Sequence, residues 1–236
     1  MSKGPGCGSS VPPEGTPAGA TAVGSVYVHA PFCVHRCSYC DFVVHVTEHG
    51  DLAAWQEALE GELRAVEREG LFALEDSLQT LYVGGGTPSL LGEHAMEALA
   101  SVVGRWRLGS SDLEWTAEAN PESLTGGLAT AWRRSGVNRL SIGVQTFNDE
   151  ALRWMGRQHD AQSAERAVDA ARAAGFTNMS VDLIFGLPER LERSWRDDLE
   201  RALALNPNDY NAIFGLGQVF EFFGDPERAY AAYERA

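Results

Sequence analysis

Cys33-Val34-His35-Arg36-Cys37-Ser38-Tyr39-Cys40 is the stretch on which the reading of this chain turns. It sets three cysteines at CxxxCxxC spacing just after a short apolar run, Val26-Tyr27-Val28-His29. A [4Fe–4S] cube ordinarily takes one thiolate on each of its four irons. A loop with three cysteines leaves one iron open, and an open iron can bind a further molecule where a fully ligated cluster cannot. Two plainer readings compete here. Three close cysteines with His29, His35 or His45 could hold structural zinc as a Cys₃His set, or they could be ordinary buried thiols. Zinc modules usually pair two such knuckles across a longer gap, and only one is present. Cys7, the one other cysteine, sits in a Gly/Pro/Ser-rich stretch.

Outward from that loop the chain alternates. Positions 26–29 read as a strand, and 52–69 carry apolar residues at helical spacing (Leu52, Trp55, Leu59, Leu63, Val66). Further strands are expected over 80–83, 114–119, 139–144 and 179–185, with helices over 93–105, 128–134, 163–174 and 195–205. Short strands alternating with helices predict an α/β fold, a parallel sheet with right-handed crossovers and about five βα units. Gly- and Pro-marked loops follow strands two to five. In βα barrels the loops at that end carry the chemistry.

Composition sets bounds. The chain has 236 residues, 44% of them hydrophobic, enough for a sizeable core. Its formal charge of −14 opposes general nucleic-acid binding, which needs a basic footprint to neutralise phosphates. No apolar run approaches the ~20 residues of a membrane span, and the start lacks the pattern of a signal peptide. Clustered cysteines without such a signal fit a reducing cytoplasm. Residues 1–24 hold almost nothing to bury and are expected to be disordered.

Five stretches carry polar groups suited to a ligand. Gly84-Gly85-Gly86-Thr87-Pro88-Ser89 lets backbone approach closely, although a glycine run alone also fits a plain tight turn or a phosphate loop. It lacks the Gly-Lys-Ser/Thr ending of a Walker loop. Glu118-Ala119-Asn120-Pro121-Glu122 offers a carboxylate that could hold an ammonium group or simply cap the next helix. Gly143-Val144-Gln145-Thr146-Phe147 and Gly156-Arg157-Gln158-His159 add a glutamine suited to a ribose hydroxyl and an arginine suited to a carboxylate. In Asp182-Leu183-Ile184-Phe185-Gly186-Leu187-Pro188 an acid stands amid apolar residues, so it belongs at the open end of its strand with hydroxyls or a cation.

Taken together, Tyr27 to Phe42 and the glycine, Glu118, Arg139–Phe147, Gly156–His159 and Asp182 runs are similar to a branch of the radical S-adenosylmethionine (SAM) enzymes. That branch contains the anaerobic coproporphyrinogen III oxidases and their heme-chaperone relatives. The resemblance spans about 26–205 and implies a partial (β/α)6-type barrel. It implies that Cys33, Cys37 and Cys40 hold three irons of a [4Fe–4S] cluster, with the open iron taking the amino and carboxylate groups of SAM. Gly85, Gly86 and Thr87 would line the SAM site, Glu118 hold an ammonium and Arg157 pair with a carboxylate. Gln145 and Asp182 would bind ribose hydroxyls. Tyr27 resembles a tyrosine beside the sulfonium, and Tyr39 an aromatic packed on adenine. Oxidases of the branch usually carry a further cysteine two residues after the motif. Here Asp41-Phe42 follows Cys40, which resembles the heme-chaperone subgroup. Heme or porphyrin is then an expected ligand, with an unnamed heme acceptor and electron donor as partners; the chaperone role is favoured over oxidase turnover.

Beyond residue 205 the resemblance stops. The family's sixth strand and its carboxy-terminal His-Asn…Tyr-Trp run are not evident. Ile213, Leu216, Gly217, Phe220, Gly224, Ala229, Tyr233 and Ala236 instead fall at tetratricopeptide-repeat spacing, which predicts a helical hairpin over 206–236. The alternative is a divergent sixth strand over 213–222. The helical run reaches Ala236, so a fragment, or a truncated barrel fused to a repeat array, is expected. Such a chain would bind a cluster yet cleave SAM poorly, and a repeat-mediated interaction protein with a vestigial barrel is the reading from another class.

Overall fold

The computed structural model describes residues 19–207 and 210–235. Along the chain run β1 (Thr21–Val23), β2 (Ser25–Ala30), β3 (Phe32–Cys33), β4 (His45–Val46), α1 (Leu52–Glu69), β5 (Phe72–Leu74), β6 (Thr80–Gly85), α2 (Ala95–Val103), β7 (Glu114–Ala119) and α3 (Gly126–Ser135). They are followed by β8 (Arg139–Gln145), α4 (Asp149–Met155), α5 (Ala161–Ala173), β9 (Asn178–Leu183), α6 (Trp195–Leu205), α7 (Tyr210–Phe222) and α8 (Pro226–Arg235). The strands β2, β6, β7, β8 and β9 form one all-parallel sheet in chain order, with β2 and β9 at its edges. The sheet stays open, so the architecture is a partial barrel. Each of the five predicted strands is a strand of this sheet.

Side-chain alternation assigns the two faces. Leu81, Val83, Trp115, Ala117, Leu140, Ile142 and Val144 point one way and are buried. They meet Leu99, Leu128, Ala129, Trp132, Ala167, Val168 and Ala171 from the surrounding helices in one core. The intervening residues are polar. Tyr27, Tyr82, Thr116 and Arg139 lie in register across the first four strands, and one rung on Glu118, Ser141 and Ser180 do the same. A parallel sheet is usually apolar on both faces. A polar concave face is one that water or a ligand must cover.

Local signals explain the helix starts. Asp51, Thr125, Asn148, Asp160 and Ser194 each accept a backbone N–H of the first turn they cap. The seven-residue α4 was not foreseen, although Asn148 at its start and Gly156 beyond its end mark it.

Two expectations shift. Residues 1–18, with Cys7, lie outside the described residues. Thr21–Val23, however, is a strand, because β5 presents a parallel edge to it (Thr21 opposite Phe72, Val23 opposite Leu74). Structure therefore begins before residue 25. At the other end Tyr210–Phe222 is helical rather than a sixth strand. It packs between α6 and α8, and Tyr233 on α8 donates to Glu221 at 2.8 Å.

Candidate cluster and cofactor site

The cysteine loop is bound on two sides. On one, β3 ends at Cys33, and the glycine run crosses behind it: Gly86 N–H donates to Ala30 O at 2.8 Å and Thr87 N–H to Phe32 O at 2.7 Å. On the other, Ser38 N–H donates to Met155 O at the end of α4. Gly85 has φ +112°, a conformation that disfavours any side chain. A Cβ on Gly86 would stand 2.6 Å from Phe32 O and 3.1 Å from Cys33 Sγ. We expect Gly86→Ala to cost about 1–3 kcal/mol through this overpacking and to lower the iron retained per chain, read by urea denaturation and metal analysis.

Glu118 does not cap a helix; Thr125 caps the helix that follows. Its carboxylate accepts Tyr82 Oη–H at 2.6 Å and Gly85 N–H at 3.1 Å, which aims it across the polar face. Asp182 accepts Ser141 Oγ–H at 2.8 Å, so the acid at the end of β9 has the hydroxyl partner its burial context called for. Gln145 sits at φ +68° where the β8–β9 register shifts. That irregularity turns its side chain toward the same space.

Arg157 lies deeper. Its guanidinium donates to Asn120 Oδ1 at 2.8 Å, to Gly143 O at 2.9 Å and to Cys37 Sγ at 3.8 Å. Glu122 stands 3.7 Å from it and 3.1 Å from His159 Nδ1. Burial alone would raise the Glu122 carboxyl, but the His159 hydrogen bond and the Arg157 charge outweigh it and hold the group below the usual range. A depressed carboxyl adds stability above its unfolded value, near 4.5, and loses it as pH falls through the folded value. Glu122→Gln should therefore cost stability at pH 7, about 1–3 kcal/mol. That gap from wild type should narrow below about pH 4.5 in denaturation curves taken across pH.

These groups share one cavity of about 260 Å³. It is lined by Cys33, Cys37, Cys40, Tyr39, Gly85, Gly86, Thr87, Glu118, Gln145, Arg157 and Asp182. Tyr27 is the one proposed residue outside it. Its hydroxyl is tied to His29 Nδ1 at 3.0 Å and its ring stacks on Tyr82, the residue that donates to Glu118. Sequence reasoning passed over Asn120, Ser141 and Gly143 as lining residues. Asn120 was legible only as part of the Asn-Pro turn after β7, and Ser141 only by strand alternation.

The radical SAM superfamily pattern matches residues 27–202, most of the chain and all of this site. The chain belongs to the radical SAM superfamily. It is 39% identical to the heme chaperone HemW of Escherichia coli, covering 78% of this chain and 48% of that protein. It is 37% identical to HemW of Bacillus subtilis, covering 79% and 49%. The solved radical SAM enzyme coproporphyrinogen III oxidase (HemN) of Escherichia coli superposes with TM-score 0.65 and 33% identity, over 78% of this chain and 42% of that one. The chain thus spans about half the length of these relatives.

Radical SAM proteins hold a [4Fe–4S] cluster and SAM, and the residues here fit both. The three thiols are free and line a cavity rather than converging as ligands of one ion; among the described residues no His, Cys, Asp or Glu trio does so. Of the three histidines that could have completed a zinc set, His35 stays beside the loop, with Nε2 3.6 Å from Cys37 Sγ, and the other two are placed otherwise. His29 bonds Tyr27 and Val43 O, and the ring of His45 stands edge-on to Phe32. Burial pushes the Cys33 thiol up, and iron bound there would reverse this, since a coordinated thiol is deprotonated outright.

Proposed function

We propose that this chain is the cluster- and SAM-binding part of a cytoplasmic heme chaperone. In this reading Cys33, Cys37 and Cys40 hold the cluster, and Gly85, Gly86, Thr87 and Glu118 receive the methionine end of SAM. Gln145 and Asp182 take the ribose hydroxyls, and Tyr39 lies against adenine. The bound cofactors supply one-electron chemistry at the open iron. The protein's own residues orient SAM: Tyr82 and Gly85 fix the Glu118 carboxylate, and Ser141 fixes that of Asp182. The observation that carries the reading is the meeting of three thiols and four strand ends in a single cavity.

The chaperone reading is supported by the similarity to HemW proteins and by Asp41-Phe42 in place of a fourth cysteine. Heme or a porphyrin is the ligand class, and an acceptor protein and an electron donor are the partners. The alternative, porphyrinogen oxidation, is favoured by the likeness to HemN. In both readings α7 and α8 would open a tetratricopeptide-like array. The test is to reconstitute the protein anaerobically and incubate it with coproporphyrinogen III, SAM and reductant, and separately with heme. Heme uptake without decarboxylation is expected; decarboxylated porphyrin would overturn the chaperone reading.

A further inference from the structure

Arg157 is only partly engaged, since its Nε is buried with no hydrogen-bond partner among the described residues. Its side chain is 5% exposed, and Nη2 is already shared between Asn120 Oδ1 and Gly143 O. Its other terminal nitrogen, Nη1, points at Cys37 Sγ, 3.8 Å away. The backbone route explains the aim. Gly156 ends α4 and Arg157 N–H closes on Leu152 O, while the same helix end holds Ser38 of the cysteine loop. Arginine and cysteine loop are thus anchored on one element.

A polar chain extends from this contact. Asn120 Nδ2 donates to Thr87 Oγ1 at 3.0 Å, which leaves the Thr87 hydroxyl proton for Cys33 Sγ, 3.5 Å away. Arg157 therefore touches one sulfur directly and supports the donor to a second. Behind it, Glu122 supplies the balancing negative charge and is held by His159, whose other nitrogen faces Val144 O at 3.1 Å. Hydrogen bonds to cluster sulfurs and nearby charge set iron–sulfur potentials. A buried cation stabilises the reduced cluster because that state carries one more negative charge.

We infer that Arg157 is an electrostatic partner of the cluster, acting on the Cys37 sulfur to raise its reduction potential, with Glu122 setting how much of that charge the cluster feels. The inference rests on the cluster reading given above. It adds to the carboxylate pairing that the resemblance implies for Arg157, through the nitrogen that faces Cys37.

The test is anaerobic redox titration, followed by electron paramagnetic resonance without SAM, on wild type, Arg157→Gln, Arg157→Lys and Glu122→Gln. Iron and sulfide are counted in each. Arg157→Gln should disfavour reduction at least tenfold, about 59 mV more negative for one electron. Arg157→Lys should fall between it and wild type. Glu122→Gln, which leaves the cation uncompensated, should move the potential the opposite way. If Arg157→Gln fails to retain a cluster, the Arg157→Lys and Glu122→Gln arms decide. Fully loaded variants with unchanged potentials would overturn the inference, the more so if Arg157→Gln then binds SAM poorly. A wild-type protein that assembles no iron–sulfur cluster would instead overturn the cluster reading itself.

Discussion

Cys37→Ala should reduce reconstituted iron from about four atoms per chain toward none and remove SAM binding with it. Cys37 is the middle thiol of the loop and accepts from Arg157 Nη1 at 3.8 Å, with His35 Nε2 3.6 Å away. Two thiols can anchor at most two irons. The fold should survive. The loop is only half-buried and contributes none of the large core side chains, so far-UV circular dichroism should match wild type. Ser38→Ala, in the same loop and exposed, should keep its iron. The measurement is metal and sulfide analysis with electron paramagnetic resonance. Zinc retained stoichiometrically by wild type, or iron retained fully by Cys37→Ala, would contradict the assignment of ligands.

Most of the fold was legible because its signals are local. Helices α1 and α6 begin and end where the sequence places them (52–69 and 195–205), since their apolar spacing and capping residues agree. The sheet order follows from strand–helix alternation and the right-handed crossover. What was not legible is non-local. The strand β1 exists only because β5, about fifty residues later, offers it an edge. The two-residue pairing of β3 with β4, which brings Phe32 opposite His45 and Cys33 opposite Val46, has no sequence period at all. The site shows the same division. The motif positions were readable one by one, but not the links between them. Arg157 reads as a free fork in sequence, and only its packing shows that Nη2 is shared by Asn120 and Gly143 and Nη1 faces Cys37, while Nε has no partner among the described residues. Tyr27 shows the same division. Alternation puts it on the right face, while its bond to His29 and its place on the edge strand keep it outside the cavity.

Asp198→Ala is the substitution expected to cost most in stability, and the cost should reach the site. Asp198 is 3% exposed and joins three elements. It accepts Thr146 Oγ–H at 2.7 Å and Phe147 N–H at 2.8 Å from the end of β8, and Arg193 Nε–H at 2.6 Å. Arg193 in turn donates to Ile184 O at 2.7 Å, just past β9. Removing the carboxylate leaves a buried guanidinium unpaired and two further donors without partners. That outcome typically costs about 3–5 kcal/mol, and for a chain of this size it corresponds to a fall in Tm on the order of 10 °C. The charge is expensive mainly when half of it is left. A double variant, Asp198→Leu with Arg193→Met, should therefore recover part of the loss rather than add to it. Because Gln145 and Asp182 stand at the two strand ends this pair ties together, a folded Asp198→Asn protein should still load iron yet bind SAM more weakly. Urea denaturation and SAM titration of the four proteins separate these effects. A double variant less stable than Asp198→Ala would mean that the ion pair contributes net stability of its own.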